Sequence, residues 1–243
     1  MPIQTLKGAL RALLLVAVFF AGVWSHASGV IDDFLWYLPD VRYLLGEHLW
    51  LTAVSGGLAI GFAVPLGIVL SRPTMAGVAE SLMQVLNVGT TIPTLAVLAL
   101  SMSFLGIGTV PAVFGLFVAT LLPIARNTYA GLKGVNPALL EAAAGIGMSP
   151  LQRLVKVELP NALYVIFAGI RTALTINVGT VPLAFLIGAG GLGELIFTGI
   201  DLYEPVMMLA GAIPTALLAI VVDAVIATVA FLVVPRGVNP SRA

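Results

Sequence analysis

PVMMLAGAIPTALLAIVVDAVIATVAFLVV, residues 205–234, carries a single charge, Asp223, in a stretch otherwise built from apolar and small residues. A bilayer's hydrocarbon core is crossed by ~20 mostly apolar helical residues. The segment meets that length, and its apolar run is continuous. Membrane strands are shorter and alternate polar with apolar, so this is a spanning helix. Reading outward from it, five more stretches qualify: 9–24, 49–70, 82–105, 110–125 and 162–187. Composition agrees. The chain has 243 residues, 60% hydrophobic and 9% charged, with a mean hydropathy of +1.10, whereas soluble domains carry about 25% charged residues. The expected fold is an all-α integral membrane protein, a polytopic bundle of about six transmembrane helices: an N-terminal anchor followed by a five-helix core.

The same composition excludes several functions. Formal net charge is zero, so no basic field invites nucleic acid. There is no cysteine, hence no thiol nucleophile or cysteine metal site, and two histidines, His26 and His48, make a poor metal centre. No G-x-x-x-x-G-K-[ST] phosphate loop occurs, so the chain does not hydrolyse ATP alone. No cofactor is implied. Gly188, Gly190 and Gly193 formally satisfy G-x-G-x-x-G, but they follow a membrane span and not a strand, and read as a glycine-rich turn.

Orientation follows from Lys and Arg in short loops. Lys7, Arg11, Arg72, Arg126, Lys133, Arg153, Lys156, Arg236 and Arg242 fall on one side of a six-span chain; Arg42 alone falls on the other, among seven carboxylates. Both termini are therefore expected in the cytoplasm. Residues 1–46 form an anchor and outer linker, 47–235 the transmembrane domain, and 236–243 a tail. The first span is read as uncleaved, although Ser25-His26-Ala27 also resembles a signal-peptide cleavage site.

The one substantial polar interruption is 126–161. Ser149 is a credible N-cap with Pro150 at the first helical position, and Gly145 and Gly147 punctuate the middle. Two short helices joined by a glycine turn are expected there. The segment reads EAAAGIGMSPLQRLVKVELP, residues 141–160. It resembles the "EAA" loop of bacterial ABC importer permeases, the membrane components of binding-protein-dependent transport systems. Glu141, Ala142, Ala143, Gly147, Leu159 and Pro160 match that pattern, and Val157 stands where isoleucine is usual. The resemblance implies that this loop docks into a cleft on an ATPase subunit. It also implies two such ATPase subunits, a periplasmic or lipid-anchored substrate-binding protein, and a second permease copy or paralogue as partners. The residues themselves suit docking: small alanines let a helix seat closely, and glycine allows the turn.

LPIARNTYAGLKGVNPALLEAA, AGIRTALTINVGT, LIGAGGLGELIFTGI and IPTLAVLAL are similar to permeases for glycine betaine, choline, carnitine and related osmoprotectants. Thr90 departs from that pattern where glutamine is expected, and Val181-Pro182 replaces Ala-Thr. A permease of this architecture for amino acids or other small solutes stays open, as does an ion-coupled secondary transporter.

Within the spans, Arg171 and Asp223 are the charges. Arg171 lies ~16 Å along its helix from Pro160 and Asp223 ~18 Å from Pro235, so antiparallel neighbours would bring them to one depth. An ion pair between the fifth and sixth helices is expected, as a brace or as part of a gate. Thr90, Thr91, Thr175 and Asn177 are candidates for lining a pathway, with helix-to-helix hydrogen bonding the alternative. Gly57 and Gly61 form G-x-x-x-G, a signature of close helix packing.

Overall fold

The computed structural model describes Gly22 and residues 29–239. The first span and its cleavage question lie outside the described residues. In chain order the α-helices are α1 Val30–Trp36, α2 Leu38–Leu70, α3 Ala76–Gly89, α4 Thr94–Leu105, α5 Thr109–Lys133, α6 Pro137–Gly145, α7 Pro150–Arg153, α8 Leu159–Thr180, α9 Gly193–Asp201 and α10 Pro205–Val233. No strand occurs among the described residues.

Among the described residues four helical stretches are long and apolar enough to cross a membrane, Leu38–Leu70, Thr109–Lys133, Pro150–Ile187 and Pro205–Val233, and a bent pair, 73–89 with 94–105, makes a fifth if it is one span. The expected third span, 82–105, is not one helix. The helices of 73–89 and 94–105 meet at 101°. The cause is local. Pro93 lacks an N–H, and proline disfavours helical geometry at the residue before it. Thr90 and Thr91 close the broken end by donating to the Asn87 and Val88 carbonyls, each at 2.7 Å.

The expected loop is also shorter than its sequence limits. α5 continues through Arg126 to Lys133, because 126–133 contains only one glycine and no proline to stop it. At the other end, α7 does not stand apart as a second short helix. It passes through a π-helical turn, Leu154–Glu158, directly into α8. Pro160 has no N–H to continue an ordinary α ladder, and the Leu159 N–H reaches back five residues to Leu154. The Asn161 side chain donates to the Val157 carbonyl at 2.7 Å.

α5 lies at the centre and packs against α2, α4 and α8, while α10 packs on α8 and α9. Alanines 59, 63, 125, 162 and 173 are buried in the main cluster with Ile124, Ile166 and Leu174. Small residues let helix backbones approach where lipid offers no hydrophobic drive to associate. On α2 the glycines at close approaches are Gly56, against Leu174, and Gly67, against Thr128. Gly57 and Gly61 meet no described residue within 4 Å, so the G-x-x-x-G pair faces away from the other described helices. The phase of α2 turns Gly56 inward and its neighbour out.

The glycine pressed most closely against backbone is Gly193, where an added Cβ would collide with the Pro182 carbonyl. That oxygen is fixed backbone and cannot yield as a side chain would. Gly193→Ala is expected to cost about 1–3 kcal/mol, as overpacking does, and to lower the thermal midpoint of the detergent-solubilised protein. A midpoint equal to wild type would contradict the packing described.

Candidate functional site

The polar loop is an ordered structure at one end of the bundle. α6 begins at Asn136, whose side chain accepts from the Ala138 N–H at 2.9 Å, and Pro137 takes the first turn. It ends on Gly147 at φ 80°. The Met148 N–H reaches the Ala143 carbonyl at 3.1 Å and the Gly147 N–H the Ala144 carbonyl at 2.9 Å, the Schellman pattern that favours glycine at this position. Ser149 then starts the next helix with a full capping box: its Oγ accepts from the Gln152 N–H, and the Gln152 side chain accepts from the Ser149 N–H.

This geometry sorts the motif residues. Glu141 and Ala142 are exposed, Ala143 is buried against the bundle, and Gly147 is exposed. Ala143 therefore seats α6 on its own protein, not on a partner, because it lies on the inner side of the short helix. Val157, Leu159 and Pro160 are half-buried at the start of the span. Leu139, Ile146 and Leu151 present apolar side chains outward, with Ile146 75% exposed and Leu151 69%. A polar, capped helical hairpin that exposes aliphatic side chains is shaped to be covered.

A contact without any sequence signal holds the loop. Arg72, just past the end of α2, pairs with Glu158 Oε2 at 2.5 Å. The same guanidinium donates to the Ser71 hydroxyl at 2.8 Å and the Ile68 carbonyl at 3.1 Å. Glu158 is buried. The partners are 86 residues apart in sequence, and periodicity says nothing about such pairs.

Between α8 and α10, Arg171 and Asp223 meet as a bidentate pair, Nε to Oδ1 and Nη2 to Oδ2, both at 2.5 Å. The pair faces a cavity of about 710 Å³ between α8 and α10, which Thr175 also lines. Asn177 does not line it. Its Nδ2 donates to Ser55 Oγ at 2.9 Å in a buried contact between α8 and α2, because Asn177 lies on the face of α8 turned to α2. Thr90 and Thr91 are exposed at the break between α3 and α4, away from that cavity's lining.

At the end opposite the loop, the glycine turn is tied to α2. Gly188 and Gly191 adopt φ of 81° and 98°. Glu47 Oε2 accepts from the Gly191 N–H at 3.0 Å. His48 is fully buried, with Nε2 3.0 Å from the Val178 carbonyl. A carbonyl only accepts, so Nε2 carries the proton. Glu47 and His48 thus anchor a non-helical segment, a role the sequence did not signal.

Comparison with known proteins now adds a decisive match. Residues 63–236 match the model of the family described as "Binding-protein-dependent transport system inner membrane component". The chain belongs to that family. It is 51% identical over 215 residues to the osmoprotectant import permease protein OsmY of Salmonella typhimurium, covering 88% of this chain and 89% of that one. It is 44% identical over 200 residues to the glycine betaine/carnitine/choline transport system permease protein OpuCB of Bacillus subtilis, covering 82% and 91%. Among solved structures, an inward-facing MetNI methionine ABC transporter matches with a TM-score of 0.74 at 24% identity, over 84% of this chain and 99% of that chain; this likeness concerns the fold. The permease is a multi-pass membrane protein of the ABC importer type.

The Arg72–Glu158 pair predicts how firmly the permease holds its loop. Hydrogen bonds to charged groups contribute about 1.5–3 kcal/mol. Glu158→Ala is expected to accelerate amide hydrogen exchange over residues 150–158 by at least about tenfold, since 1.4 kcal/mol is a factor of ten. Exchange unchanged in that segment would show that the pair does not hold it.

Proposed function

We propose that this permease forms half of the membrane pathway of an ATP-driven importer for glycine betaine, choline, carnitine or a related quaternary-amine osmoprotectant. A periplasmic or lipid-anchored binding protein delivers the substrate. Two ATPase subunits supply the energy, and a second permease copy or paralogue completes the pathway. The observation that carries the coupling role is the hairpin from Asn136 to Glu158: rigidly capped, tied to α2, and presenting Glu141, Ile146 and Leu151 to solvent. Substrate class rests on the relatives at 40–51% identity, all named for osmoprotectants or their chemical class.

In this reading the hairpin lies in the cytoplasm with both chain termini. ATP binding closes the ATPase dimer and draws the hairpins with it, so the pathway opens outward; hydrolysis resets it. Residues 47–235 are the transmembrane domain and the hairpin is its coupling element. Family membership argues against the ion-coupled alternative. The methionine transporter's likeness, at 24% identity, supplies no reason to prefer amino acids.

Glu141 is the exposed charge on the docking helix. Glu141→Arg is expected to leave the protein in the membrane at wild-type abundance while lowering ATP-dependent uptake by reconstituted complex at least about tenfold, the effect of ~1.4 kcal/mol of lost coupling. Normal uptake by that variant would remove the docking role from this residue.

A further inference from the structure

The cavity between α8 and α10 has a chemical character that a simple brace does not need. Its volume, about 710 Å³, falls in the range of about 300–1,000 Å³ typical of small-molecule sites. Arg171 and Asp223 face it with side chains 47% and 34% exposed. Charges in a membrane span are costly, and a pair that served only to join two helices would be walled off by them. This one opens onto space.

The walls are aromatic on one side of the pair. Tyr164 and Phe167 line the cavity from α8, and Phe231 lines it from α10. Tyr164 and Phe167 precede Arg171 by two turns and one turn, on the same helix face. Phe231 follows Asp223 by about two turns. Because α8 leaves the loop end and α10 returns to it, all three rings lie between the charges and the loop. Ala168, Ala227 and Ala230 keep the space between them open.

A quaternary ammonium is attracted to aromatic ring faces and to carboxylates. A carboxylate matches the planar fork of a guanidinium. A small zwitterion carrying both groups finds both partners here. Its insertion converts one ion pair into two and adds no net charge to the low-dielectric interior. A simple cation would take Asp223 and leave Arg171 without a counter-charge midway along an apolar span, which is unfavourable.

We propose that Arg171 and Asp223 form an exchangeable ion pair that opens to hold a zwitterionic quaternary amine in the space between α8 and α10, its carboxylate on Arg171 and its ammonium against Asp223 and the rings of Tyr164, Phe167 and Phe231. The inference rests on the osmoprotectant reading above and assigns that substrate a place in the membrane. It makes the permease itself selective for zwitterions over cations of the same size.

The chain has no cysteine, so Thr172→Cys places a single reporter thiol in the same cavity. In the assembled permease–ATPase complex without ATP or binding protein, millimolar glycine betaine is expected to slow maleimide labelling of that thiol on the permease at least threefold, and choline at the same concentration to leave it unchanged. Labelling unaffected by glycine betaine, or slowed equally by choline, overturns the proposal. In reconstituted vesicles, the isosteric double substitution Arg171→Gln with Asp223→Asn is expected to reduce glycine betaine uptake at least tenfold while binding-protein-stimulated ATP hydrolysis stays within twofold. Joint loss of uptake and ATP hydrolysis, or full uptake by the charge-swapped variant Arg171→Asp with Asp223→Arg, identifies a brace and overturns it. If glycine betaine slows labelling but the intact complex transports none, the subsite stands and the osmoprotectant reading fails.

Discussion

Backbone groups inside a bilayer have no water to bond, so every interruption of a helix must be satisfied by the protein itself. That constraint organises this permease. Where the third span breaks at Pro93, the Thr90 and Thr91 hydroxyls bond carbonyls of the preceding turn. Where α8 gives way to a 3-10 segment and a glycine turn, the freed groups are met from α2: His48 Nε2 takes the Val178 carbonyl and Glu47 takes the Gly191 N–H. The Gly108 N–H adds a bond to the Ile187 carbonyl at 2.8 Å. The irregular end of the bundle is thus held by two polar residues of one helix and a backbone bond from the turn before α5.

The loop end solves the same problem differently, because water is available there. Its helix ends are closed by local devices: the Asn136 cap, the Schellman turn at Gly147 and the capping box of Ser149 and Gln152. Local caps make a hairpin that is rigid within itself, and the Arg72–Glu158 pair joins Ala143, Leu140 and Leu154 in holding it to the bundle. The proposed coupling role asks for such an element, stiff inside and seated on the bundle it would move.

The same division explains what was legible in the sequence. Spans, caps and the glycine turn depend on composition and short spacing, so 205–234, Ser149-Pro150 and Gly147 could be read directly. The pairing of Arg171 with Asp223 was legible because both are rare charges in apolar helices whose depths could be counted from Pro160 and Pro235. The bend at Pro93 escaped because apolar residues continue across it, and hydropathy does not register direction. The end of α5 was set too early, since Arg126 and Lys133 look like loop residues although they continue a helix into the polar zone. Asn177 stayed between a wall and a helix-to-helix hydrogen bond because an amide in a span has two roles, and only the phase of α8 against α2 distinguishes them. Glu47, His48 and Glu158 gave no signal, since their partners lie far away in the chain.

One continuous path joins the two ends of this arrangement. From Pro150 the chain runs through the π turn into α8 without a break, and Arg171 lies 21 residues on, about 32 Å at ~1.5 Å per residue. Asp223 sits on α10, which the other described helices scarcely cover. Under the proposed coupling role a displacement of the hairpin acts on Arg171 through one helix, while Asp223 rides on another. The short stretch 154–158 is where such a displacement can be absorbed or passed on, since a π turn is a wider and less regular ladder than the α-helix on either side. Glu158, the last residue of that turn, is held by Arg72. In the proposed coupling role, this clamp at the irregular turn is the contact that governs how motion of the loop would reach the charged pair.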